Sequence, residues 1–339
     1  MQASLDNPKY TVYLVAGSKK YNLTPALIDI STSNQDKQLA QTVTIKVVNV
    51  RTKDQDKKTL CQLLNVRQRI FVKANDGEKK DEVFRGWTWT RYHQSELEGA
   101  TLTIKCYDNL IYLQKSEDSL YFSKGKKTSS VMKSICSKWG INLKYSYSSI
   151  THTKLVLRGT LSDIIMSDIL DLVKKRTGNK YVVLSKKDEM HIKSVGSNKT
   201  VYQITKKNDA ISTRVETTMD GMITKVKILG QAKKNSQKLP VVATVKGDTS
   251  RYGTLQKLQD KDKDTSLKDA KKEANATIKE HGKPKTEYLV EANDIPWIEK
   301  GDRVYVHAGH ISGKTMIVLG IERDISNKAK TMTLTLEDP

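Results

Sequence analysis

Few residues in this chain could do chemistry, and none of them forms a complete set. His307 and His310 stand three apart in VHAGH, a spacing at which two imidazoles on a turn could begin a zinc site. They lack the HExxH helix with its general-base Glu, and no carboxylate cluster adjoins them, so they read as surface or turn histidines. The other four histidines, His93, His152, His191 and His281, show no local Cys or Ser partner, so no nucleophile–base pair is evident. Glycoside hydrolysis needs two carboxylates flanking the scissile bond. Glu96 with Glu98, and Asp163 with Asp168, are such pairs by type, yet both lie where solvated or helix-end charges are expected. Gly125-Lys126-Lys127-Thr128 has the wrong order for a phosphate loop and lacks the upstream glycine; GxGxxG and GxSxG are absent. Tyr145 and Tyr147 beside Lys144 come nearest to a base-stacking surface, on one strand only. Cys61, Cys106 and Cys136 are odd in number and without CxxC spacing, and they read as buried free thiols. The expectation is a non-enzyme with no catalytic, cofactor-binding or metal-binding residues and no cofactor.

The elements around these residues fall into three stretches. Residues 1–115 alternate in short runs: Tyr10–Val15, Thr42–Val50, Arg69–Ala74, Val83–Thr90 and Thr101–Tyr107. Asn75-Asp76-Gly77 supplies a tight turn between two of them. Trp87 and Trp89, two apart, share one side of a strand and are expected to pack a small barrel core. Residues 116–196 change period. A helix is predicted over Thr128–Trp139, capped by Ser129 and closed by Gly140, and a second over about Leu161–Thr177, with Ser162 at its start and Gly178 beyond it. A hairpin, Lys180–Leu184 and Met190–Ile192, completes a small α/β module. Residues 197–339 return to β. Thr200–Ile204, Ile211–Thr217, Ile223–Leu229, Gly301–Val306, Lys314–Ile325 and Thr331–Pro339 are strand runs around one helix at 266–281. The polar stretch Gln231–Lys263 reads partly as a surface loop, with Leu239–Val245 a further strand candidate.

At 339 residues the chain is long enough for two to three cores. Its +21 formal charge speaks of partners and solubility rather than fold. The basic residues are dispersed singly and in pairs, which argues against a disordered nucleic-acid arm. Met1–Lys9 is polar and the apolar runs are far shorter than a membrane span, so folding in a cytosol without a secretion signal is expected.

The order of these segments resembles the baseplate hub proteins of contractile phage tails and phage-like particles, in particular the PBSX-type defective-prophage hub. The residues that carry it are Asp168–Gly178 (DILDLVKKRTG) leading into KYVVLSKKDEMHI, VETTMDGMITKVKILG within Ile211–Gly230, YGTLQKLQ at Tyr252–Gln259, and then GDRVYV, MIVLGIERDI and TMTLTLEDP. The likeness runs from about Ser116 to the end, and more loosely over the first β segment.

The resemblance implies an α+β, mainly β fold. Two tube-like β-barrel hub domains, 1–115 and 197–339, would hold the small α/β module 116–196 between them. It implies a homotrimer forming a pseudo-sixfold ring that joins the hexameric tail tube to a trimeric central spike, among other baseplate proteins. Such a ring needs strand edges that pair between subunits and a head-to-tail interface that closes. The setting implied is the tail baseplate of a phage or tailocin, assembled in the bacterial host cytoplasm, with no specific nucleic acid and no membrane span. The alternative is a tail-associated peptidoglycan hydrolase, with Glu96 or Asp163 at its centre. A basic lumen would hold a genome electrostatically, so the +21 charge faces outward or the particle carries no DNA.

Overall fold

The computed structural model describes residues 7–36, 38–51, 58–96, 99–145, 149–207, 209–232, 238–263 and 265–339. The first part contributes β1 (Lys9–Ala16), β2 (Lys19–Asn22), β3 (Leu27–Asn34), β4 (Thr42–Val48), β5 (Arg69–Asn75), β6 (Lys80–Glu96) and β7 (Gly99–Tyr107). Strict alternation makes these strands: Val43, Ile45 and Val47 are buried, while Thr42, Thr44 and Lys46 stand on the other face. β1 lays Tyr10, Val12 and Leu14 against Ala74, Val72 and Ile70 of β5, and both rows enter one core. The Asp-Gly turn is as expected. Gly77 has φ 96°, and Asp76 Oδ1 accepts from the Glu78 and Lys79 amides at 3.1 and 2.7 Å.

The middle part contributes β8 (Glu117–Phe122), β9 (Asn142–Tyr145), β10 (Leu155–Thr160), β11 (Tyr181–Lys186) and β12 (Glu189–Ser194). They form a β8–β10 pair and a β11–β12–β9 sheet, with two helices packed against them. The first helix, Thr128–Lys138, begins one residue before the expected Ser129 cap. The Thr128 hydroxyl is engaged elsewhere, by the Ile150 carbonyl and by His152, so no side chain caps this end. The second helix starts after Thr160, not at Ser162: the Thr160 hydroxyl accepts from the Asp163 amide at 3.3 Å. Its middle, Ile164–Leu170, is π-wound, and it ends at Gly178 with φ 81°.

The last part adds β13 (Tyr202–Thr205), β14 (Ala210–Thr218), β15 (Lys225–Leu229), β16 (Val241–Lys246), β17 (Gln256–Asp260), β18 (Lys285–Asn293), β19 (Arg303–Ala308), β20 (Ile311–Ser326) and β21 (Lys330–Glu337). The stretch read partly as a surface loop carries two strands, because β16 and β17 flank β15 on either side. Val226 and Ile228 of this small sheet meet Ala270 and Ala274 of the helix Leu267–His281 in a core of their own.

Strand exceeds helix 51% to 19%, so the mainly β, α+β expectation holds. The pairing adds something the sequence did not suggest. β3 bonds to β4 on one side and to β20 on the other, with Ile30 opposite both Ile45 and Ile325. The first and last parts therefore share one thirteen-stranded sheet, ordered β14-β18-β21-β20-β3-β4-β7-β6-β5-β1-β2, with β13 and β19 branching from β20. No closed ring of strands is present among the described residues. β3 went unread because LIDISTSN is polar and buries only Ile30 fully.

The two tryptophans are a correction. Phe84, Gly86 and Thr88 take the core side of β6, which leaves Trp87 half-buried on the opposite face and Trp89 exposed beside it. Trp87 is covered by the Arg67 and Arg69 guanidinium groups at 3.8 and 4.4 Å, and Trp89 meets Tyr107 and Tyr112 edge-on. Core burial was the wrong expectation because the alternation of β6 assigns Phe84, Gly86 and Thr88, not the indoles, to the core.

Candidate functional site

The nominated chemical residues do not come together. His307 is exposed on β19 and His310 sits in the turn that follows it. Among the described residues no group of three or more His, Cys, Asp or Glu is placed to hold a metal ion. Asp163 is exposed and bonded to the Thr160 hydroxyl at the start of its helix. Asp168 is exposed five residues on, its carboxyl raised by partial burial and by the Asp163 charge. Glu96 ends β6, and Glu98 lies outside the described residues. Lys144 pairs with Glu189 at 3.0 Å, Tyr145 packs against the module core, and Tyr147 lies outside the described residues. Cys106 and Cys136 are buried; burial pushes the Cys136 thiol up to about 12, which removes it as a nucleophile at neutral pH. Cys61 is half-buried and accepts from Arg91 at 3.3 Å.

The structure instead concentrates charge at a joint that the sequence did not reveal. Three parts meet around a cleft of about 360 Å³: the first half-sheet, the β11–β12 hairpin and the loop at 294–300. Arg323 points into the core from β20, between Ile321 and Ile325. Its Nε donates to Asp294 Oδ1 at 2.8 Å, and Nη2 donates to the Ile298 and Ile295 carbonyls at 2.7 and 3.2 Å. Tyr10 of β1 donates its hydroxyl to the same carboxylate. Every polar atom of this triad comes from a different segment, so it fixes β1, β20 and the loop together.

Lys300, 2% exposed, donates Nζ to the Gln38 and Gln35 carbonyls at 2.8 and 3.0 Å. Burial lowers its pKa to about 8. On the module side, Lys193 bridges Asp302 at 2.7 Å and Glu299 at 3.2 Å, and Lys186 meets Glu299 at 2.8 Å. Asp188, at the hairpin tip, accepts from Arg69 and, at 3.3 Å, from Arg85. Gly301 is forced here. Its φ of 85° is open to glycine, and a Cβ would lie 2.5 Å from Val182 of β11, where the module seats on the last part.

A cleft can be an active site, and its one acid–base contact is His191 Nε2 to Glu189 Oε2 at 3.3 Å. Burial lowers His191, and Glu189 is held down chiefly by Lys144. No hydroxyl or thiol nucleophile adjoins the pair among the contacts of the described residues. The groups around it are paired to one another: Arg85 with Glu82, Lys144 with Glu189 and Lys186 with Glu299. The sequence held one signal for this joint: a lone Arg at the inward phase of IxRxI, between two inward isoleucines.

The surface offers two further features. Among the described residues β14 bonds only to β18, and none of its nine residues is buried. Beyond a bulge at Thr88/Thr90, β6 leaves β5 and stays paired with β7 among the described residues, and Thr90–Ser95 are all exposed. No helix among the described residues is long and apolar enough to cross a membrane.

Comparison with known proteins gives the fold a context. The model of the YQBQ-like family matches residues 30–337. Among curated proteins, none matches this sequence. Among solved structures, a tail protein from Neisseria meningitidis is similar over 97% of this chain and 96% of its own, at 13% identity and a TM-score of 0.69. The 43 kDa tail protein of prophage MuSo2 from Shewanella oneidensis is similar over 98% and 99%, at 14% identity and 0.66. An E. coli component of the type VI secretion system, described as structurally similar to the T4 bacteriophage tail proteins gp27 and gp5, is similar over 93% and 74%, at 8% identity and 0.55. At these identities the likeness is one of fold.

Proposed function

Starting from the premise that this chain belongs to the YQBQ-like family, we propose that it is a structural baseplate hub of a contractile tail or tailocin. In this reading it is a homotrimeric adaptor between the hexameric tail tube and the central spike, in the baseplate of a phage or phage-like particle assembled in the host cytoplasm. Its hub domains are 1–115 and 197–339, with 116–196 as the inserted module.

The observation that carries the reading is the β3–β20 pairing. It fuses two half-sheets into one wall, braced at one corner by the α/β module, and the fold built around it is similar over nearly the whole length to the Neisseria and Shewanella tail proteins. A wall built across two half-sheets suits a ring segment; a cleft whose charges are paired suits a joint. The protein is accordingly read as a non-enzyme. A peptidoglycan hydrolase would need two free carboxylates across a cleft, and no observation favours one.

Light scattering of the purified chain, alone and with its spike partner, tests the proposal. A mass of three chains in either condition is expected. A strict monomer in both would sink it.

A further inference from the structure

The outward face of the first half-sheet is built from other residue types than the rest of the surface. Of the 59 basic residues only eleven are Arg, and three of these, Arg67, Arg69 and Arg85, stand on this one face. Strand register sets them among rings: Arg69 lies opposite Trp87, Trp87 opposite Tyr107, and Phe71 opposite Arg85. Arg85 and Arg69 share the Phe71 ring at 5.1 and 5.6 Å. A planar guanidinium stacks on a ring in a way that an ammonium cannot.

Two of the three arginines meet carboxylates. Arg69 and Arg85 donate to Asp188 at the hairpin tip, and Arg85 donates to Glu82 at 2.7 Å. Arg67 meets none among the described residues. It lies over Trp87 at 3.8 Å and beside the Tyr112 ring at 5.1 Å, and it donates to the Tyr112 hydroxyl. Its backbone is held at φ 63°, a left-handed conformation that is uncommon outside glycine. The Arg67 amide donates to the Thr88 carbonyl at 2.8 Å, and the Gln68 amide to the Thr88 hydroxyl at 2.8 Å. Such strain persists only where the surroundings impose it. The result is an exposed guanidinium fixed in place before any partner arrives. Val66, 52% exposed, precedes it, and Trp89, 38% exposed, meets the same Tyr112 ring at 5.9 Å.

We infer that this face binds an acidic segment of a partner protein, with a Glu or Asp carboxylate on Arg67 and a neighbouring apolar side chain on Trp89 and Val66. Asp188 shows the mode within the chain, since it already sets a carboxylate on the next two arginines. Arg takes a carboxylate through two parallel N–H bonds, and Trp, Tyr and Arg carry most of the binding energy at protein interfaces. A single-stranded nucleic acid would need open ring faces for its bases. Trp87 is already covered by two guanidinium groups, which favours the peptide. This site does not depend on the hub reading, since it holds for one copy of the chain as for three.

Fluorescence anisotropy of a labelled peptide of Glu-Leu-Gly repeats, titrated with the full chain, tests the site. Saturable binding is expected, weakened at least ~10-fold when Gln replaces Glu in the peptide. Arg67→Gln and Arg67→Lys are each expected to weaken it ~10-fold, the second because an ammonium keeps the charge and loses the planar fork. Trp89→Ala removes an exposed ring and is expected to weaken it ~5-fold while circular dichroism is unchanged. Lys268→Gln removes the same charge from the helix Leu267–His281 and is expected to change nothing. An equal loss in Lys268→Gln, full binding by Arg67→Lys, or no binding of the Glu peptide by the parent chain overturns the site. So does an oligothymidylate that binds the parent more tightly than the peptide and is weakened as much by Arg67→Gln, which would assign the face to nucleic acid.

Discussion

The joint around Lys300 and the edges at β14 and distal β6 are built from opposite materials. At the joint, charged groups from distant segments are buried or half-buried and matched: Asp294 with Arg323 and Tyr10, Lys300 with two carbonyls, Lys193 with two carboxylates. At the edges, β14 is paired with β18 and distal β6 with β7 among the described residues, and the side chains are solvent-facing or weakly paired. A buried ion pair is costly to break and specific in geometry, so it suits contacts that never open. A solvent-facing strand stays hydrated until a partner arrives, so it suits contacts made in assembly. The contrast teaches where this molecule is finished and where it is not.

The sharpest way to break that contrast is at the joint. Asp294→Ala leaves the Arg323 guanidinium buried with carbonyls alone and strands the Tyr10 hydroxyl. A loss of about 3–5 kcal/mol is expected in urea unfolding of the chain. Tyr92→Ala at the edge is expected to stay within about 0.5 kcal/mol of the parent when measured below the assembly concentration. Comparable losses at the two places would mean that joint and edge are not different in kind.

Much of the frame was legible from sequence. The alternation of β4 and β5, the helix closed by Gly178 and the Asp-Gly turn are local patterns, and local patterns survive folding. The joint was not legible, because its partners are remote: Tyr10 and Asp294 are 284 residues apart. β3 failed for a related reason. Its Ser and Thr residues look like a loop until β20 arrives to pair with them. The tryptophans misled because size suggested burial, while phase along β6 decided otherwise.

A second measurement sharpens the joint by pH. Asp108 is fully buried near Lys300, accepting from the Gln41 and Leu110 amides at 2.9 Å each. Burial raises its pKa to about 7, against these amide bonds and the Lys300 charge. A carboxyl raised on folding holds more protons in the folded state between about pH 4 and 7. Its contribution is therefore fully present below the unfolded pKa and is lost as pH rises through about 7. Lys300, lowered to about 8, has the complementary sign: its cost is present below 8 and is relieved as pH climbs toward the ordinary lysine range. The stability of the parent minus that of Asp108→Asn is expected to fall by a few kcal/mol from pH 4 to 7. A flat difference would show that Asp108 is ionised in the folded chain.

The smallest effect lies between the two extremes, at the hairpin tip. Asp188 takes Arg69 and Arg85 on its carboxylate, and its carbonyl accepts from Asn109. It is part-exposed, so the pair is screened and worth about 1 kcal/mol or less. Its φ is 71°, a conformation that Asn tolerates and Ala does not. Asp188→Asn thus removes the charge and keeps the turn. Global unfolding is expected to shift by no more than about 1 kcal/mol. The arginines remain stacked on Phe71 and Trp87 in either case, so those rings hold their place. Amide exchange in β11 and β12 is nevertheless expected to quicken relative to β4 and β5, because the tip is where the module is tied to the first half-sheet. Unchanged exchange in the hairpin would mean that the buried contacts at Gly301 and Lys193 hold the module by themselves, and that the joint ends at Lys193 instead of reaching the arginine–aromatic face.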